Sequence, residues 1–197
     1  MIKLGPLLGV ESEAVLSICI LIDSSTYSAN ATVQLVVTYG GKTKSLNGNR
    51  YEDSEYLFEF QFYKFTLDIA SLQYADFTYS IKIDGEVIYD LHRRNSFSVQ
   101  LNKPNETPSI AYVSCTGSHK GVDEIKKTDY YGYKVLLDQK PDYLIFGGDQ
   151  VYADQLLSNK KSLYRQYYLS DNLDLNTDQK EFVKRFYLEL YINSWNN

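Results

Sequence analysis

Two short polar runs carry most of the chemistry this sequence can offer. Cys115-Thr116-Gly117-Ser118-His119 follows the apolar run Ile110-Ala111-Tyr112-Val113-Ser114. Gly147-Gly148-Asp149-Gln150-Val151-Tyr152-Ala153-Asp154 follows Tyr143-Leu144-Ile145-Phe146. If the two apolar runs are neighbouring parallel strands, both polar runs leave at the C-terminal rim of the sheet, where open α/β sheets bind their ligands. A Cys115 thiolate and an Asp149 carboxylate would then share that rim, and both are anionic donors suited to a metal ion. The paired glycines let the backbone turn sharply and approach an anion closely. Tyr152 can turn its phenol toward the same point, and Asp154 adds a second carboxylate. His119 stays open between a metal ligand, a general acid and a surface residue. Plainer readings stand beside these: a cysteine at a strand end often only packs, and Gly-Gly-Asp is a common strand exit in which the aspartate caps a turn.

Other catalytic signatures are absent from the sequence. Cys115 has no arginine at the spacing of a phosphate-cradling cysteine loop, and there is no Walker loop, dinucleotide fingerprint or nucleophile elbow. Cys19, within Leu16-Ser17-Ile18-Cys19-Ile20, reads as a strand residue of the core. His92-Arg93-Arg94 reads as a solvated turn rather than a ligand clamp. Only two histidines and two cysteines occur in 197 residues, which argues against an imidazole-built site and against a disulfide-dense scaffold. Twenty Lys and Arg against 25 Asp and Glu give a net charge of -5, so no nucleic-acid partner is implied. The N-terminus lacks the order of a signal peptide, and no stretch approaches the roughly 20 apolar residues of a membrane span. The expected compartment is cytoplasmic, with Asn30-Ala31-Thr32 and Asn105-Glu106-Thr107 read as chance matches to the glycosylation pattern.

The elements that must position these residues fall into two halves. From about residue 13 to 101 the sequence reads as short strands with polar turns. Val15 to Ile22, Ala31 to Tyr39, Glu55 to Phe65, Phe77 to Ile83, Glu86 to Ile88 and Phe97 to Leu101 are the clearest. Val33, Leu35, Val37 and Tyr39 share one face of their strand, as do Phe77, Tyr79, Ile81 and Ile83. Asp84-Gly85 is the strongest hairpin signal. Together these predict an immunoglobulin- or fibronectin-like β-sandwich over residues 1–103. A Pro-containing polar linker at 104–109 separates it from 110–197, where strand, helix, strand, helix is α/β grammar. Helices are expected within Glu124 to Asp138, around Lys160 to Leu169, and from Asp178 to Ile192. The last would be capped by Asp178 with Glu181, with an apolar stripe of Phe182, Phe186 and Leu190. Two parallel strands alone leave apolar faces uncovered, so further C-terminal sequence or another chain is expected to complete this second domain.

Ile110 to Cys115, followed by Pro141-Asp142 and the run Tyr143 to Asp154, resembles the PhoD-like (alkaline phosphatase D) branch of the calcineurin-like metallophosphoesterases. The opening Leu4-Gly5-Pro6-Leu7-Leu8-Gly9-Val10 is similar to the start of the sandwich that precedes their catalytic domain. The resemblance implies a layered α/β/β/α catalytic domain and a metal centre of ferric iron with calcium, or other divalent ions. It implies Cys115, Asp149 and Tyr152 as ligands, with Asp154 and His119 as a possible secondary set. It further implies a small phosphate ester, mono- or diester, as the substrate, attacked by a metal-activated water. The family pattern continues with Asn-His and later histidines, whereas no histidine follows Asp154 here. The ligand set in this chain is therefore incomplete, and weak or absent turnover is expected of it alone. The alternative is a non-catalytic interaction or carbohydrate-binding module with a vestigial metal site.

Overall fold

The computed structural model describes residues 1–28, 30–51, 59–73, 75–90, 92–101, 107–114, 135–136, 138–148 and 176–195. The chain divides into two compact units, Met1–Lys103 and Pro104–Trp195. The first unit is all β apart from one turn of 3-10 helix, Ala70–Leu72. Its strands are β1 (Ile2–Ser12), β2 (Val15–Asp23), β3 (Val33–Tyr39), β4 (Lys42–Asn47), β5 (Asn49–Arg50), β6 (Phe60–Asp68), β7 (Phe77–Ile83), β8 (Glu86–Val87) and β9 (Phe97–Val99). One antiparallel sheet runs β1-β2-β6-β5, and a second runs β4-β3-β7-β8 with β9 also on β7.

Alternation along these strands builds one core from both sheets. Leu16, Ile18, Ile20 and Ile22 of β2 and Tyr63, Phe65 and Leu67 of β6 meet Val33, Leu35 and Val37 of β3 and Phe77, Tyr79, Ile81 and Ile83 of β7. Phe65, Ile18 and Leu35 are fully buried. This arrangement is compatible with the expected sandwich. The period-two faces of β3 and β7 are those the sequence predicts, because every second residue must leave water while its neighbours keep it. The Asp84-Gly85 hairpin forms as expected, joining β7 to β8 with Ile83 opposite Glu86. Both turn residues have positive φ, 50° and 88°, as a two-residue loop of this hand requires. Asp84 also accepts the Thr32 amide at 2.8 Å, which ties the hairpin to the entry of β3.

Several details differ from expectation. The strands begin at Ile2: β1 bulges where Gly5 and Pro6 have no partner on β2, and its pairing resumes at Leu7. At the sheet's edge, β1 has β2 as its one strand partner among the described residues and tolerates a proline and register shifts. A Cβ on Gly5 would stand 2.6 Å from the Cys19 carbonyl, so glycine permits this close approach. β4 carries only one large apolar residue, Leu46, and lies at the other sheet's edge, where Lys42 and Lys44 discourage further pairing. β6 runs on to Asp68, while residues 52–58 lie outside the described residues. β3, β8 and β9 are shorter than expected, starting at Val33 and ending at Val87 and Val99. Cys19 is not a core residue: Ile18 and Ile20 face inward, so Cys19 lies half-buried on the other face, opposite Leu7 and Lys64. Burial there pushes its thiol pKa up, against the pull of Lys64.

The basic triplet at 92–94 belongs to a turn, as expected, organised by Asp90. That carboxylate, 2% exposed, accepts the amides of His92 at 2.9 Å and Arg94 at 2.8 Å and the Arg94 Nε at 2.7 Å. Arg94 lies over the Phe97 ring, which stacks on Tyr79.

In the second unit the described residues comprise β10 (Ile110–Val113), β11 (Tyr143–Phe146), four helical residues at 135–136 and 138–139, and α1 (Thr177–Trp195). The layered metallophosphoesterase domain is not shown by them. The expected helix around Lys160 to Leu169 lies outside the described residues. The cap of α1 is not Asp178 with Glu181 but Asn176 with Gln179. Asn176 Oδ1 accepts the Gln179 amide at 3.0 Å, and Gln179 Oε1 accepts the Asn176 amide at 2.9 Å. An acceptor two residues earlier wins because it reaches the first free N–H groups of the helix. The expected apolar stripe is uneven, with Leu190 buried and Phe182 exposed.

Candidate functional site

The candidate site is built on β10 and β11. They are parallel neighbours in register, with Ile110 opposite Tyr143 and Val113 opposite Phe146. At their N-terminal end Ser109 and Asp142 clamp the pair. The Ser109 amide and hydroxyl each donate to Asp142 Oδ2 at 2.7 Å. The Asp142 amide donates back to Ser109 Oγ at 3.1 Å. Those Ser109 donors hold the Asp142 carboxyl below its ordinary pKa. At the C-terminal end the Gly147 amide donates to the Val113 carbonyl at 2.7 Å, carrying the ladder one step past β11. The two strands therefore end side by side.

Their sequences are apolar on both faces, as strands of a covered parallel sheet are. Ile110 and Tyr112 stand with Tyr143 and Ile145 on one face, and Leu144 and Phe146 lie on the other. Tyr112 is 66% exposed and Ile110 61%.

Each glycine of the β11 exit has its own reason. A Cβ on Gly147 would overlap Oη and Cζ of Tyr112, whose ring leans along the sheet from two residues back in register. The Tyr112 Oη lies 3.5 Å from the Gly147 carbonyl, at the outer limit of a hydrogen bond. Gly148 has φ +118°, a backbone shape that an L side chain strains to adopt.

Cys115, His119, Asp149, Tyr152 and Asp154 lie outside the described residues. After β10 and β11 the described residues run on to Ser114 and Gly148, one residue short of Cys115 and of Asp149. Among the described residues no group of three or more His, Cys, Asp or Glu could hold a metal ion. Three residues that sequence reasoning passed over belong to this frame: Ser109, Asp142 and Tyr112. The Ser-to-Asp clamp has no local signature, since its partners are 33 residues apart. Tyr112 is one of 19 tyrosines, and only its register against Gly147 distinguishes it.

No protein-family model matches the chain, and no curated protein is significantly similar to it. Among the described residues no helix is long and apolar enough to cross a membrane.

Proposed function

We propose that this chain carries an immunoglobulin- or fibronectin-like sandwich and the first metal-ligand motifs of a PhoD-like metallophosphoesterase. The reaction of that type is metal-dependent hydrolysis of a small phosphate ester. The observation that supports it is the in-register parallel pair β10–β11, which ends side by side immediately before the Cys115 and Gly-Gly-Asp149 runs. That is the rim at which open parallel sheets bind ligands.

The donor set of the motifs fits such a centre. Cys115 offers a thiolate, Asp149 a carboxylate able to touch two ions, and Tyr152 a phenolate suited to a hard ferric ion. Asp154 and His119 are the secondary donors of this reading. A bound mixed centre, ferric iron with calcium or another divalent ion, would supply charge stabilisation at phosphorus and a water of lowered pKa. The chain's own contribution is positional: β10 and β11 fix where the two ligand runs start.

The test is metal content and steady-state turnover of p-nitrophenyl phosphate and its bis-ester. The proteins compared are the 197-residue chain, its Asp149→Asn variant and any longer native product carrying Asn-His motifs. We expect iron or cobalt to bind the chain and to be lost in Asp149→Asn, with turnover slow or absent. Transfer to water needs groups that the missing histidines ordinarily provide. A chain that binds neither metal would overturn the metal reading and favour the non-catalytic module. Robust turnover abolished by Asp149→Asn would show that the ligand set is complete.

A further inference from the structure

We propose that Asn47-Gly48 is a deamidation site which the native sandwich keeps closed and which, once reacted, prevents the chain from refolding. The site is independent of the metal reading above and lies within the first unit. Asn47 is the last residue of β4, opposite Gln34, and Asn49 begins β5. β4 and β5 belong to different sheets, so Gly48 alone carries the chain from one to the other. A Cβ on Gly48 would stand 2.9 Å from Cε1 of Phe65 and 3.0 Å from Cδ1 of Tyr63. Both rings belong to the close-packed core, so this corner requires glycine. The fold thus sets the least hindered residue directly after an exposed asparagine.

That pair has its own chemistry. The Gly48 amide nitrogen, having given its proton to a base in the solvent, can attack Cγ of Asn47. The new N–Cγ bond closes a five-membered imide, and the Cγ–Nδ2 bond breaks with release of ammonia. Water then opens the ring at either carbonyl. Opening at Cγ leaves an ordinary aspartyl residue. Opening at the main-chain carbonyl leaves an isoaspartyl residue, whose main chain runs through Cβ and Cγ and is one methylene longer. The native fold opposes the first step. The Gly48 amide donates to the Val33 carbonyl at 2.8 Å, and Asn47 Oδ1 accepts from Gln34 Nε2 at 3.1 Å. Nucleophile and electrophile are each held to β3, and an extended backbone at Asn47 keeps the next amide out of the plane the ring needs. An added methylene lengthens the link between β4 and β5. The Gly48–Val33 bond and the pairing of Asn49 with Lys64 cannot then both be restored.

The 197-residue chain is held at mildly alkaline pH, once folded and once unfolded in guanidinium chloride. Proteolytic peptides are read by mass spectrometry for the gain of one mass unit at Asn47, and isoaspartyl residues by enzymatic methylation. The folded chain should react at least about tenfold more slowly, because a backbone hydrogen bond and the end of β4 must open first. After dilution from denaturant, the isoaspartyl form should collect in the pool that fails to refold, read by far-UV circular dichroism. Asn47→Asp should refold, since its carboxylate still accepts from Gln34 and the main chain keeps its length. Asn47→Gln, which would need a slower six-membered ring, should gain no mass at that position and refold fully after the same exposure. If Asn47→Gln does not fold, the isoaspartyl form against Asn47→Asp still decides. Equal rates in the folded and unfolded chains, or an isoaspartyl form that refolds with an unchanged denaturation midpoint, overturn the proposal.

Discussion

Replacing Asp90 with alanine should be among the most costly single changes in the sandwich that touch no apolar core residue. Its carboxylate, 2% exposed, accepts two backbone amides and one guanidinium N–H. Alanine leaves the His92 and Arg94 amides without that acceptor. Each such group costs about 1–3 kcal/mol when no partner replaces the lost one. His92 and Arg94 are exposed residues, so water can recover part of this. The Arg94 side chain is 60% exposed, and losing its pair adds no more than about 1 kcal/mol. The total is about 2–4 kcal/mol, a large share of a domain's net stability. Asp90→Asn keeps one acceptor oxygen and should lose roughly half as much.

The effect should spread beyond the turn. The neighbouring Tyr89 carbonyl accepts the Ile2 amide at 2.9 Å, so a loosened 90–94 turn should also speed hydrogen exchange at Ile2. Burial pushes the Asp90 pKa up, but the Arg94 amide, its guanidinium and charge, and the His92 amide outweigh it and hold the group below its ordinary value. A depressed carboxyl stabilises the fold above the unfolded pKa, near 3.9, and loses that contribution as pH falls through the folded value. The gap between the unaltered chain and Asp90→Ala should thus be full at pH 7 and shrink on acidification below about pH 4. Urea unfolding followed by far-UV circular dichroism measures it. Trp195 belongs to the other unit and would report on that unit instead. A loss under about 0.5 kcal/mol, or a gap that widens in acid, would refute the reasoning.

Gly85→Ala should destabilise the sandwich by about 1–2 kcal/mol, the cost of a left-handed residue with a Cβ. Space is not the issue there, since a Cβ on Gly85 meets nothing within 4 Å. The same urea unfolding experiment reads it, and an unchanged midpoint would show that the turn relaxes freely. Asn176→Ala should cost α1 about 1 kcal/mol, while Asp178→Ala should cost clearly less. Helical ellipticity at 222 nm on heating compares the two, and a larger loss for Asp178→Ala would restore the capping pair the sequence alone proposes.

The sandwich was legible wherever burial falls on one face of a strand. Val33, Leu35 and Val37 alternate with Gln34 and Val36, and the pattern states both the strand and its inward side. It failed at the edges, where pairing continues without that demand. β1 contains a proline and two glycines, yet an edge strand needs partners on one side only. β4 offers Leu46 among polar residues, and its pairing with β3 follows from the Gly40-Gly41 turn, with φ values of 50° and 76°. Cys19 was misplaced for the opposite reason. In Leu16–Ile22 both faces carry apolar or small residues, so composition marks burial without marking the side. The α1 cap slipped by two residues because Asn176-x-x-Gln179 and Asp178-x-x-Glu181 obey the same rule, and only the helix start separates them.

For the site, sequence supplied the two strands and their parallel pairing, but not the phase relation between their ends. With Val113 opposite Phe146, strands continued in extended form would bring Cys115 opposite Gly148. Asp149 would then fall one residue later, on the other face of the sheet, because side chains alternate. On the proposed metal reading, Cys115 and Asp149 would then start from opposite faces of the sheet. Gly148, at φ +118°, leaves the extended conformation at the end of the described segment. Gly147 still bonds through its amide to Val113, and the place a Cβ would take there is filled by the Tyr112 hydroxyl and Cζ. The doubled glycine therefore answers two separate requirements, close approach at 147 and a left-handed turn at 148. Neither is visible until the register of β10 against β11 is known.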